Sequence, residues 1–188
     1  MSQFQVVLRC FFISLSLLSW FPVALGAANS LIQIKDFGLN PTNVTFYLYV
    51  PSKLQAKPPI LVNPHWCHGD ASDCFKGTQL ATLADTYGYL MIFPDSPNTA
   101  DKCWDVSSNA TLTHNGGGDS LGIVSMVKYT LAKYNADPTR VFSMGTSSGA
   151  MMTNVLLGSY PDIFAAGSAW AGVAVSIVFL PSLSRAPQ

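Results

Sequence analysis

One pentapeptide limits what this chain can fold into more than any other stretch. Gly145-Thr146-Ser147-Ser148-Gly149 joins an apolar run at 140–144 to an apolar stretch at 148–157 that carries Met151, Met152, Val155 and Leu156. The first reads as a strand and the second as a helix ended by Gly158 and Pro161. A G-x-S-x-G sequence at a strand-to-helix junction is the pattern of a nucleophile elbow, whose sharp turn lifts the serine hydroxyl clear of the sheet. The flanking glycines leave room for that turn and for close helix packing. The pattern alone is weak, since chance produces it in roughly one chain of this length in fifteen. The strand before it and the helix after it make Ser147 a candidate nucleophile. The Ser148 amide then faces a developing oxyanion, aided by the helix dipole.

The same alternation runs along the chain. Residues 43–50 are β-branched and aromatic, 60–62 are Ile-Leu-Val, and 89–93 form another apolar run that Pro94 is expected to close. Residues 78–87 read as a helix with Leu80, Leu83 and Ala84 on one face. A long polar loop covers 95–118. Asp119 is expected to N-cap the next helix, in which Ile123, Val124, Val127, Leu131 and Tyr134 recur at helical spacing. A further strand begins at 164. Strands alternating with helices predict one α/β domain built on a mostly parallel sheet covered on both faces.

The 188 residues carry ten basic and ten acidic side chains and no basic run, which argues against nucleic acid as a partner. Arg9, the apolar stretch 10–21 and the small residues Ala24, Gly26, Ala27 and Ala28 read as a secretory signal peptide over 1–27, too short for a membrane span. Secretion places Cys67, Cys74 and Cys103 in an oxidising compartment, so one thiol of the three lacks a partner among them. Asn43 and Asn109 head N-glycosylation triplets.

Two further clusters stand out. His65-Trp66-Cys67-His68-Gly69 follows the 60–62 strand, where a loop supplies a second oxyanion donor to a nucleophile elbow, here from the Trp66 or Cys67 backbone. A metal reading of His65, Cys67 and His68 lacks a carboxylate at helpful spacing. The other cluster is Cys103-Trp104-Asp105 and His114-Asn115-Gly116-Gly117-Gly118-Asp119. Its glycines fit a tight turn near the rim of a site, or an anion nest. Trp66 and Trp104 suit either sugar stacking or core packing.

Together these motifs resemble the fungal acetylxylan esterases of carbohydrate esterase family 1, a family similar to feruloyl esterases and polyhydroxybutyrate depolymerases. The resemblance rests on His65-Trp66-Cys67, Cys103-Trp104-Asp105-Val106-Ser107-Ser108, the stretch from Ala110 to Ser120, Tyr134-Asn135-Ala136-Asp137 and the stretch from Gly145 to Asn154. It implies an α/β-hydrolase domain over 28–173 and an extracellular serine esterase that deacetylates xylan. It also implies no metal or organic cofactor; a monomer without a membrane partner is the further expectation. A feruloyl or polyhydroxyalkanoate ester is an alternative substrate, and a catalytically dead carbohydrate-binding protein an alternative function.

One departure is plain. In α/β-hydrolases the order is serine, acid, histidine. No histidine follows Ser147, and Asp162 is the only acid after it. The catalytic acid and histidine are therefore expected to be absent from this sequence, with weak turnover as the result, and His114 is the candidate for a non-standard base. The tail 174–188 does not continue the resemblance and reads as translated intron, since Val175-Ser176 can be encoded by GTAAGT.

Overall fold

The computed structural model describes residues 30–174. The expected signal peptide at 1–27 and the tail from 175 onward lie outside them. Six strands form one sheet: β1 (Ile32–Ile34), β2 (Thr45–Tyr49), β3 (Ile60–Val62), β4 (Leu90–Asp95), β5 (Val141–Thr146) and β6 (Ala166–Trp170). Their order is β1-β2-β4-β3-β5-β6. β1 pairs antiparallel with β2, and β2 with β4; the β3–β4, β3–β5 and β5–β6 pairs are parallel. The sheet is thus mixed and mostly parallel.

Among the described residues five helices connect the strands: α1 (Ala71–Gly77), α2 (Leu80–Tyr87), α3 (Asn109–Leu112), α4 (Asp119–Tyr134) and α5 (Ser148–Ser159). Successive side chains of a strand point to opposite faces, and β4 shows it. Leu90 and Ile92 pack with Ile123, Val124 and Val127 of α4 and with Met152, Val155 and Leu156 of α5. Met91 and Phe93 pack with Ala71 and Cys74 of α1 and Ala84 of α2. Each such fully buried large side chain stabilises the fold by about 1.5–3 kcal/mol. Both faces of the strand are apolar because both are covered.

Three local expectations change. Pro94 does not close β4; it lies within the strand, paired with Phe46. Leu90 donates to the Pro59 carbonyl and the Ile92 carbonyl accepts from Asn63, so alternate residues of β4 bond toward β3. Pro94 shares that parity, but β3 has ended at Val62, and its missing N–H costs no ladder bond. Asp119 does not cap α4. Gly118 is the cap residue, and the Asp119 carboxylate, one position inside, accepts the Asp105 amide at 3.0 Å. Burial pushes the Asp119 carboxyl upward, and the nearby Asp105 charge adds to this. Helix α5 runs through Gly158 to Ser159.

α1 is an element the hydrophobic pattern did not announce. Its start is a capping box: the Asp70 side chain takes the Asp73 amide at 2.8 Å, and the Asp73 side chain takes the Asp70 amide at 3.1 Å. β6 is an edge strand exposed throughout, with Trp170 58% exposed. No helix among the described residues is long and apolar enough to cross a membrane.

Candidate active site

Ser147 sits at the junction of β5 and α5 with φ 55° and ψ −120°. Positive φ is uncommon for a residue with a Cβ and costs on the order of 1–3 kcal/mol, so the surroundings must enforce it. They do so from both sides: its amide donates to the Trp170 carbonyl at 2.9 Å, and its carbonyl accepts the Met151 amide at 3.0 Å. The side chain is exposed. The two glycines of the pentapeptide are required by space. A Cβ on Gly145 would lie 2.3 Å from the Gly149 carbonyl oxygen, and one on Gly149 would lie 2.1 Å from the Pro64 carbonyl oxygen.

That second contact puts the 63–67 loop against the first turn of α5. The amides of Ser148, Trp66 and Cys67 have no hydrogen-bond partner among the described residues. A helix's first N–H groups lack intrahelical partners, so the start of α5 offers donors beside the Ser147 hydroxyl.

Behind them lies a buried network. His65 is fully buried; its Nδ1 bonds the Trp66 carbonyl at 2.7 Å and its Nε2 accepts the Ser96 amide at 3.0 Å. A carbonyl only accepts and an amide only donates, so these partners assign the ring proton to Nδ1. Asp95 lies 3.4 Å from Nε2, which the Ser96 amide already occupies, and its ion-pair partner is Lys102 at 3.2 Å. Burial pushes the Asp95 carboxyl upward, but the hydrogen bond from Lys102 and its charge hold it below its ordinary value.

The tryptophans separate. Trp104 is buried, with its indole Nε1 donating to the His65 carbonyl at 2.7 Å, so it is a core residue and not a stacking platform. Trp66 is half-buried and lines a cavity of about 180 Å³ with Asn63, Cys74, Leu80 and Thr146. Cys67 and Cys103 form a disulfide, so the Cys67 sulfur is committed and the metal reading of His65, Cys67 and His68 fails. Cys74 is buried and free; burial pushes its thiol up to about 12, helped by the charges of Asp73, Asp70 and Asp95.

His114 packs at the C-terminal end of α5, whereas Ser147 stands at its N-terminal end. Its Nε2 meets Asp162 at 3.1 Å, its Nδ1 meets Asn115 at 2.8 Å, and its ring packs on Tyr160. His68 is exposed, its amide bonded to the Asp101 carbonyl at 2.6 Å. No histidine among the described residues bonds to Ser147. The glycine run forms a packed turn: a Cβ on Gly118 would meet the Thr111 backbone at 2.5 Å. Asn43 and Asn109 are both exposed.

The family described as Esterase PHB depolymerase matches residues 44–181. The chain belongs to that family. Among relatives, it is 54% identical over 151 residues to feruloyl esterase B of Neurospora crassa, covering 80% of this chain and 51% of that protein. It is 56% identical over 143 residues to acetylxylan esterase A of Emericella nidulans, covering 76% and 47%. The solved acetyl xylan esterase from Aspergillus awamori superposes with a TM-score of 0.77 at 49% identity, over 80% of this chain and 54% of that one. The chain spans about half the length of the curated relatives it matches.

Proposed function

We propose that this chain carries the nucleophile half of a secreted serine carboxylic-ester hydrolase that removes acetyl groups from xylan. The observation that carries this reading is the backbone of Ser147, held at positive φ with its hydroxyl exposed. A binding protein has no use for a strained serine. Ser147 Oγ attacks the ester carbonyl and loses its proton to a base, the sugar hydroxyl departs, and water then releases acetate from the acyl-enzyme. Amides of Ser148 and of Trp66 or Cys67 hold the oxyanion. No histidine among residues 30–174 bonds to Ser147.

The likeness to acetylxylan esterases supports the acetyl ester, and the likeness to feruloyl esterase B gives the competing reading of a feruloyl ester on the same scaffold. Incubating the chain and Ser147→Ala with acetylated and with feruloylated xylan separates them. The proposal expects acetate release exceeding ferulate release and lost in Ser147→Ala. Ferulate release alone supports the second reading, and release unchanged in Ser147→Ala contradicts both.

Secretion as a glycosylated monomer is part of the same proposal. It is supported by the leader-like segment and by the exposure of Asn43 and Asn109. Glycosidase treatment of the protein secreted by a fungal host checks it: a mass loss lying on those two asparagines is expected, and an unchanged mass contradicts glycosylation.

A further inference from the structure

The candidate oxyanion donors come from two separate stretches of chain, and one residue reaches both. The Trp104 amide donates to the Ser148 hydroxyl at 2.8 Å, and its indole Nε1–H donates to the His65 carbonyl at 2.7 Å. Both bonds are buried, and Trp104 is 4% exposed. Ser148 supplies one candidate amide, and the segment running on from His65 supplies the other, from Trp66 or Cys67. The same two stretches touch where Gly149 meets the Pro64 carbonyl. That contact limits how closely they approach, while the two Trp104 bonds limit how far they part.

Two further links stiffen this arrangement. The His65 ring lies 5.0 Å from the Trp104 ring and bonds the Trp66 carbonyl, so the turn of the 65–67 backbone depends on a group packed against Trp104. Cys103, the residue before Trp104, is bonded to Cys67. The loop 95–108 is thereby fastened to the 63–67 loop at Cys67 and His65 and to α5 at Ser148. An oxyanion hole accelerates a reaction because its donors are fixed before charge develops, and a misplacement of about 1 Å costs roughly 100-fold. The Ser148 hydroxyl is the handle by which the fixing is done, and its loss leaves a buried amide unpaired.

We propose that Trp104, acting through the Ser148 hydroxyl and the His65 carbonyl, is a positioning residue that holds the two halves of the oxyanion hole in register. This rests on reading Ser147 as the nucleophile. Trp104 touches no reacting atom in this scheme; it acts through the residues it ties together.

The test uses the full chain with Ser148→Ala, Ser148→Thr and Trp104→Phe, which keeps the ring and removes the Nε1–H. Two readouts are taken: amide hydrogen exchange over 63–70 and 96–105, and kcat and KM for p-nitrophenyl acetate. Ser148→Ala and Trp104→Phe are expected to speed exchange in both segments roughly tenfold, with β2 and α2 unchanged. They should lower kcat roughly 10- to 100-fold with KM shifted by less than about twofold. Ser148→Thr restores both. Unchanged exchange and kcat overturn the proposal. So does faster exchange across the whole chain with kcat and KM failing together, the mark of a merely structural role. Failure of the unaltered chain to become acylated at Ser147 overturns the esterase reading instead, and the exchange measurement still decides whether Trp104 fastens the two segments.

Discussion

Gly149 and Pro64 are in backbone contact: any side chain on Gly149 begins 2.1 Å from the Pro64 carbonyl oxygen. The last glycine of the pentapeptide therefore serves the loop after β3 as well as the turn it belongs to. The Pro64 oxygen is backbone and a Cβ has no rotamer to change, so nothing local relieves the clash. Gly149→Ala should destabilise the chain by about 1–3 kcal/mol, as overpacking does. A urea midpoint equal to that of the unaltered chain contradicts the contact.

The disulfide between Cys67 and Cys103 closes a loop with a sequence separation of 36. Loop-closure entropy assigns such a link about 3–4 kcal/mol. Replacing both cysteines by serine should cost that much in a denaturation experiment, with the largest gain in hydrogen exchange at 63–70 and 96–105. A loss confined to residues far from both loops argues against the bond.

Cys74 is buried on the α1 face, and burial pushes its thiol up to about 12. The thiolate is the reactive species. In native protein at pH 8, iodoacetamide should leave the Cys74 peptide unmodified, and in urea it should modify that peptide fully. Rapid labelling of Cys74 in the native state contradicts its burial.

Asp137 closes the turn before β5, bonding the Thr139 amide at 2.9 Å, the Thr139 hydroxyl at 2.6 Å and Arg140 Nε at 2.8 Å. The Thr139 hydroxyl bond, then Arg140 and the Thr139 amide, lower its carboxyl from 3.8 to about 2. The folded state thus binds this proton less tightly than the unfolded state does. The contribution is fully present above about 3.8 and is lost as pH falls through about 2. Asp137→Ala should therefore lower the urea midpoint at pH 7, with the difference shrinking between those two values. A difference that grows on acidification contradicts the sign.

The sequence made the elbow and the alternating scaffold legible because both are local. β3 appears at 60–62 as read, and Ser147 lies at the strand-to-helix junction the pentapeptide announced. Pro94 misled because a proline's effect depends on whether a neighbouring strand reaches it, and β3 stops short. α1 escaped a search for apolar periodicity, although Asp70 and Asp73 gave it a readable capping signal. The disulfide was beyond reach, since three cysteines allow three pairings. The Trp104–Ser148 bond spans 44 positions and has no local signature. Trp104 itself read equally well as a sugar platform, and only its burial decides otherwise.

The most direct test of the central claim is mass spectrometry of the full chain after brief mixing with p-nitrophenyl acetate and acid quench. One acetyl group is expected on the peptide bearing Ser147, absent from Ser147→Ala. Acetylation that spares Ser147, or that persists unchanged in Ser147→Ala, contradicts it.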